Sequence, residues 1–166
     1  MNARAVLSCL VLAACDPGLP GVTLGNDGVL WIDDSPGGNV FAFERAYRHW
    51  VDDARVMRAE VHHWCASGCT QILSYLPPQN ICLSPAARFG FHPVYYERQL
   101  AAWPARTSDR SWRGDVDPIG TMIEFLGYPE WLQNRLSQAG VMSFGDAALV
   151  IGASEFWAHG YAHCSH

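Results

Sequence analysis

The chain has 166 residues, 49% of them apolar and 16% charged, with a formal net charge of -5. That length can bury one sizeable core, and the acidic balance excludes a general nucleic-acid binder, which needs a basic face. All eleven basic residues are arginine, so Ser–Lys and Schiff-base chemistry, which need a lysine amine, are excluded as well.

The first residues read as an export signal. Arg4 supplies the positive charge, and the apolar run at 5–14 is too short to span a bilayer but long enough for a signal core. The run ends in "LAAC", Leu12 to Cys15, which resembles a bacterial lipobox, where cleavage precedes a lipid-carrying cysteine. Asp16 after that cysteine fits retention at an inner membrane. An ordinary cleaved signal or a buried first strand are the alternatives. Residues 1–15 are therefore expected to be a signal peptide with lipidation at Cys15. Residues 16–27 are expected to be a tether and 28–166 a single domain, periplasmic or cell-envelope and held to the membrane by lipid.

Residues 28–34, "GVLWIDD", form an apolar run bounded by Gly and acids, the pattern of a buried strand. "SPGG" at 35–38 breaks it. Over 39–55, Val40, Phe43, Tyr47, Val51 and Ala54 recur at helical spacing, with Asn39 as the N-cap. Residues 58–64 read as a strand, and 67–76 as a helix stopped by Pro77-Pro78. Two short strands follow at 80–85 and 88–94. This alternation of strand and helix predicts an α/β fold with parallel strands. Beyond it, 96–103, 119–127, 129–140 and 143–153 read as helices, the last capped by Ser143, and 105–118 as a polar loop.

Export would place the domain in an oxidising space. Cys9 would leave with the signal and Cys15 would carry lipid, leaving Cys65, Cys69, Cys82 and Cys164. Four cysteines allow two disulfides in three connectivities. No C-x-x-C pair is present, which disfavours zinc. His159, His163 and His166 have metal-like spacing but read as a solvated tail, and the adjacent His62 and His63 would point to opposite faces of a strand. Trp50, Trp64, Trp103 and Trp131 read as core or interface anchors. No metal and no cofactor is expected.

Three short stretches can carry chemistry, each at a strand end, where ligands bind in α/β sheets. Gly37 and Gly38 can present bare N–H groups. Ser67, between Cys65 and Cys69, opens a strand-to-helix turn whose free N–H groups favour a developing anion. His92 is the side chain best suited to take a proton near neutral pH. Read singly, these are a tight turn, a helix cap and a core histidine.

Together, "WIDDSPGGNVFAFERAY", "CASGCTQIL" and "ARFGFHP" resemble, in order, the Clp protease/crotonase superfamily, nearest to the Clp protease proteolytic subunit. The "SPGG-x-V" motif of that family is matched by Ser35 to Val40, its nucleophile turn by Ala66, Ser67 and Gly68, and its catalytic histidine by His92. The separations, 29 residues from Gly38 to Ser67 and 25 from Ser67 to His92, are similar too. "CASGCT" and "ARFGFH" are also similar to the "C-x-S-A-C-T" and "A-R-x-G-F-H" of exported, membrane-anchored bacterial members.

The resemblance implies a spiral of ββα units with parallel strands and a helical C-terminal part. It implies a serine hydrolase that cleaves peptide or other acyl bonds through an acyl-enzyme. Ser67 would be the nucleophile, His92 the base, and the N–H groups of Gly37, Gly38 and Gly68 the oxyanion donors. The family's third member, an acid, has no match beside "VMS" at 141–143. Asp146, Glu130 or Asp117 are the stand-ins, and a Ser–His dyad is the other outcome. A bond from Cys82 to Cys65 or Cys69 would pin the nucleophile turn, leaving the remaining one for Cys164. The implied partners are a peptide or protein substrate, the membrane through the lipid, and other copies of the chain, since relatives form rings or trimers. The alternative is an inactive relative that binds an extended peptide or partner without cleaving it. An acyl-CoA enzyme is disfavoured, because an exported protein meets little CoA.

Overall fold

A computed structural model describes residues 18–92, 127–140 and 148–165. The sequence-predicted elements at 96–103 and 105–118, nearly all of that at 119–127, and the residues Cys9, Cys15, Trp103, Asp117, Ser143, Asp146 and His166 lie outside them.

The described chain is a mixed α/β structure built on two sheets. In the first, β1 (Val22–Leu24) pairs antiparallel with β2 (Val29–Ile32), and β2, β3 (Arg58–Val61), β5 (Ile81–Leu83) and β8 (Ala162–His163) follow side by side, all parallel. In the second, β4 (Trp64–Ala66) runs parallel to β6 (Arg88–Phe91), and β6 pairs antiparallel with β7 (Leu149–Gly152). Ser35 extends this sheet by a parallel bridge to Cys65.

The chain repeatedly crosses from the first sheet to the second in a few residues. It goes from β2 to Ser35, from β3 to β4, and from β5 to β6. Helix α1 (Val40–Asp52) follows the first crossing; a 3-10 turn (Ser67–Gln71) and the short α2 (Ile72–Tyr75) follow the second. Each crossing enters the second sheet at the amino end of a strand, and the carboxyl ends of these parallel segments collect Gly37, Ser67 and His92.

Helix α1 forms over most of the expected 39–55 but ends at Asp52, leaving Ala54, counted in its apolar stripe, exposed beyond it at φ +53°. The Asn39 carboxamide oxygen accepts the N–H groups of Phe41 at 2.9 Å and Ala42 at 3.3 Å, satisfying donors the helix itself cannot use. Its apolar stripe buries Phe43, Ala46, Tyr47 and Trp50. These meet Leu30, Ile32, Val61, Ile81 and Leu83 of the first sheet in one core. Phe89 and Phe156 join it, with ring centroids 4.4 Å apart. Helices α3 (Glu130–Gln138) and α4 (Ala153–Trp157) cover the other end, with Leu132 and Leu136 inward.

Several expectations are corrected. The strand expected at 58–64 is two strands, β3 and β4, in different sheets. The helix expected at 67–76 is a 3-10 turn with only four α-helical residues after it. Residues 149–152 of the helix expected at 143–153 are strand β7, held by antiparallel pairing to β6, and the helix starts only at Ala153. The expected tether at 16–27 carries β1, which completes the edge of the first sheet. His159 and His163 are exposed, as a solvated tail predicts, but they are not loose: His163 lies in β8 and stacks on Trp157 at 3.8 Å, and His159 stacks on Trp131 at 4.0 Å.

The cysteines pair as Cys65–Cys69 and Cys82–Cys164. The expected link from Cys82 to the Ser67 turn is overturned by the topology. Cys82 lies in the first sheet, opposite Ala162 of β8, while Cys65 lies in the second. The tight turn instead folds Cys69 back to a Cα distance of 5.4 Å from Cys65. Two disulfides fit an oxidising, extracytoplasmic compartment. Among the described residues no helix is long and apolar enough to cross a membrane.

Candidate active site

Ser67 follows the last residue of β4 and adopts φ +53°. For a residue with a Cβ, the left-handed region costs about 1 kcal/mol or more, and residues held there mark places where the surroundings dictate the backbone. Ala66 occupies the cap position, and no side-chain hydrogen bond caps this turn among the described residues. The simple helix-cap role for Ser67 is therefore not the one it takes. Its side chain is half-buried, while Gly68, Cys69, Thr70 and Gln71 behind it are buried.

The surroundings that hold this conformation can be named. The Cys65–Cys69 disulfide brackets Ser67, and both cysteines are fully buried. The Tyr47 hydroxyl, reaching from α1, donates to the Cys69 carbonyl at 3.2 Å. The "SPGG" turn lies directly alongside. The Ser35 N–H donates to the Trp64 carbonyl at 2.7 Å, and the Ala66 N–H donates to the Ser35 carbonyl at 3.0 Å. The buried Ser35 hydroxyl ties the same point to the Pro20 carbonyl at 2.5 Å.

Beyond Ser35 the glycines come into contact with the serine turn. A Cβ on Gly37 would stand 2.1 Å from the Ala66 carbonyl oxygen and 2.7 Å from the Ser67 Cβ. One on Gly68 would stand 2.7 Å from the Phe43 ring and 3.2 Å from the Gly38 carbonyl oxygen. Both turns must be glycine to pack this closely. Gly37 and Gly38 also hold φ of +78° and +147°, which glycine alone adopts at little cost.

His92 comes in from the neighbouring strand. Strand β6 runs parallel to β4 with Gly90 opposite Ala66, so Ser67 lies one residue, and His92 two, beyond a matched pair. Adjacent strands are about 4.8 Å apart, which brings the two to the same end of neighbouring strands. Gly90 permits this pairing: a Cβ there would stand 2.6 Å from the Trp64 ring. His92 is half-buried.

Of the acids suggested as a third member, Glu130 is exposed as the first residue of α3, and Asp146 and Asp117 lie outside the described residues. Two pairs that the sequence does not link stand near the site instead. Thr70 and Tyr128 hydrogen-bond each other at 2.5 Å behind Ser67; they are 58 residues apart, and no local pattern predicts that contact. His63 Nδ1 pairs with Asp33 at 2.5 Å beside the "SPGG" turn. This hydrogen bond raises the His63 pKa above the ordinary value.

Among the described residues two clusters have metal-ligand chemistry. In one, Glu60 meets Cys82 and Cys164, whose sulfurs are bonded to each other and so are not free thiolates. In the other, Asp33, Asp34 and His63 are all exposed. The chain matches no protein-family model and none of the curated proteins compared with it.

Proposed function

We propose that this protein is an exported serine hydrolase of Clp protease/crotonase-like fold that cleaves peptide or related acyl bonds. The observation that carries the reading is the contact of Gly37 with Ser67, at the strand end beside His92. A serine in a strained strand-to-turn conformation, N–H groups without side-chain obstruction, and a histidine on the adjacent parallel strand are the three parts acyl transfer needs. The repeated crossing between two sheets, each followed by a return to the first, supports the ββα spiral.

In this reading His92 takes the Ser67 hydroxyl proton as Oγ attacks the scissile carbonyl. The N–H groups of Gly68 and of Gly37 or Gly38 hold the oxyanion. The tetrahedral adduct collapses, the bond to the leaving amine breaks, and His92 returns the proton to it. Water then attacks the acyl-enzyme by the same path and frees Ser67. A histidine without a carboxylate partner loses control of its tautomer, which costs several orders of magnitude in rate. The envelope location and a lipid anchor at Cys15 belong to the same proposal and rest on the residues at 4–16 and on the two disulfides.

Reaction of the folded protein with a fluorophosphonate probe tests it. Labelling that is lost in both Ser67→Ala and His92→Ala supports the hydrolase. A folded wild-type protein that takes no label overturns it and favours the non-cleaving binder of extended peptides.

A further inference from the structure

Behind Ser67 two buried hydroxyls form a chain whose direction can be worked out by counting protons. Thr70 Oγ1 lies 2.6 Å from the Ser67 carbonyl oxygen and 2.5 Å from the Tyr128 hydroxyl. Thr70 is 1% exposed and Tyr128 5%. A carbonyl oxygen only accepts, so the one proton of Thr70 goes to Ser67. Tyr128 must then donate its own proton to Thr70. Burial keeps Tyr128 protonated for that role, pushing its pKa up to about 12. The chain therefore runs in one sense, from Tyr128 through Thr70 to the Ser67 carbonyl, and each bond polarises the next.

The Ser67 carbonyl and the Gly68 N–H belong to one peptide unit. That unit is planar and trans, so its N–H points opposite its C=O. Whatever fixes the Ser67 carbonyl fixes the direction of the Gly68 N–H. The 3-10 turn sets the run of the backbone here, but Gly68 has no Cβ to limit the tilt of this peptide unit, so the hydroxyl bonded to the Ser67 carbonyl adds a restraint that the residue itself lacks.

Tyr128 is anchored on two further sides. Its carbonyl accepts the Gln133 side-chain amide of α3 at 2.6 Å. Its ring meets Phe91 edge-on, with centroids 5.8 Å apart, and Phe91 immediately precedes His92. One side chain thus touches both the serine turn, through Thr70, and the strand end that carries the histidine.

We infer that Thr70 and Tyr128 are positioning residues that aim the Gly68 N–H into the oxyanion site. The inference rests on the hydrolase reading and adds two residues to it. A threonine bonded to the carbonyl three residues back also occurs as a purely local feature of tight turns; the buried tyrosine feeding it is what marks this one as a device.

The test is the rate of phosphonylation of Ser67 by a fluorophosphonate. In that step the Oγ–P bond forms, the P–F bond breaks, fluoride leaves, the proton passes to His92, and the phosphoryl oxygen occupies the oxyanion site. Removing an oxyanion donor outright costs about 100-fold or more, so misaiming one is expected to cost roughly tenfold. Tyr128→Phe and Thr70→Val should each lower the maximal labelling rate by about that factor, with the half-saturating probe concentration unchanged. Thr70→Ser, which restores the hydroxyl, should recover most of the rate. Amide exchange at Gly68 should speed up in Tyr128→Phe while exchange in β2 and β3 stays slow. Variants that melt lower yet label at the wild-type rate per folded molecule would reduce the pair to a structural role and overturn the inference. A wild-type protein that takes no label overturns the hydrolase reading itself, a distinguishable failure that removes the oxyanion role with it.

Discussion

Gly37 and Ser67 are packed so closely that one methyl group cannot enter between them. A Cβ on Gly37 would fall 2.1 Å from the Ala66 carbonyl oxygen, a backbone atom that cannot rotate away, and 2.7 Å from the Ser67 Cβ. Gly37→Ala must therefore push the "SPGG" turn off the serine turn. Overpacking of this kind costs about 1–3 kcal/mol, and the left-handed φ of +78° adds about 1–2 kcal/mol. Gly160→Ala is the control. Its φ of +86° matches that of Gly37, and its Cβ would meet nothing within 4 Å, so it carries the backbone strain without the overpacking. Gly37→Ala is expected to melt lower than Gly160→Ala and to lose at least tenfold in fluorophosphonate labelling. Equal melting temperatures for the two would refute the packing argument.

How far this arrangement was legible in the sequence depends on the range of the signal. Helix α1 was legible because its apolar residues recur every three to four positions and Asn39 stands at its start. The glycines of "SPGG" and the serine turn were legible as motifs, because close backbone approach demands glycine whatever lies around it. The break between β3 and β4 was not. The stretch "EVHHWCA" contains no Gly or Pro, and the split arises because β3 has β2 and β5 as partners while β4 has Ser35 and β6. Strand β7 was missed for a related reason. A run such as "AALVIG" suits a buried helix or a strand equally well, and the choice is made by the ladder that β6 offers.

The disulfides separate stability from site geometry. In the loop-entropy picture, a link across 82 positions, as in Cys82–Cys164, contributes about 4–5 kcal/mol. A link across four, as in Cys65–Cys69, contributes about 2 kcal/mol in the same picture. The double variant Cys82→Ala/Cys164→Ala should therefore lose roughly twice the unfolding free energy of Cys65→Ala/Cys69→Ala in urea titrations. Labelling of Ser67 should respond in the opposite order, because only the short link brackets the serine. A Cys65/Cys69 variant that labels as fast as the wild type would show that the hydrogen bonds alone hold the turn.

His63 and Asp33 make a pair that NMR can read directly. The Asp33 hydrogen bond, more than any other influence, raises the His63 pKa above its ordinary value. The stabilisation is present below the ordinary histidine pKa, about 6.5, and fades as pH rises through the raised value. Both side chains are well exposed, so solvent screens the pair and its contribution to stability is small. The titration midpoint of the His63 ring should lie above the ordinary value in the wild type and return toward it in Asp33→Ala, with the melting temperature nearly unchanged. An unmoved midpoint would show that the pair does not persist in solution.

The buried tyrosines set the alkaline limit of the fold. Burial raises the pKa of Tyr47, Tyr128 and Tyr161, with Tyr128 pushed up to about 12. An unfolded tyrosine ionises near pH 10. Up to about that pH both states hold their phenolic protons, and the stabilisation is fully present. Above it the unfolded chain releases protons that the folded chain retains, so the unfolded state gains and stability falls as pH rises. Tyr128 alone accounts for a loss of about 2 kcal/mol by pH 12, since a tenfold difference in proton affinity between the two states is worth about 1.4 kcal/mol. The folded protein should therefore show little tyrosinate absorbance from these rings until it unfolds, and the two signals should rise together between pH 10 and 12. Replacing Tyr128 by Phe removes one of these groups and should make the fall in stability across that window less steep. A tyrosinate signal from all three rings that develops well before unfolding would show that they are open to water, which would also remove the dry hydroxyl chain from Tyr128 to the Ser67 carbonyl.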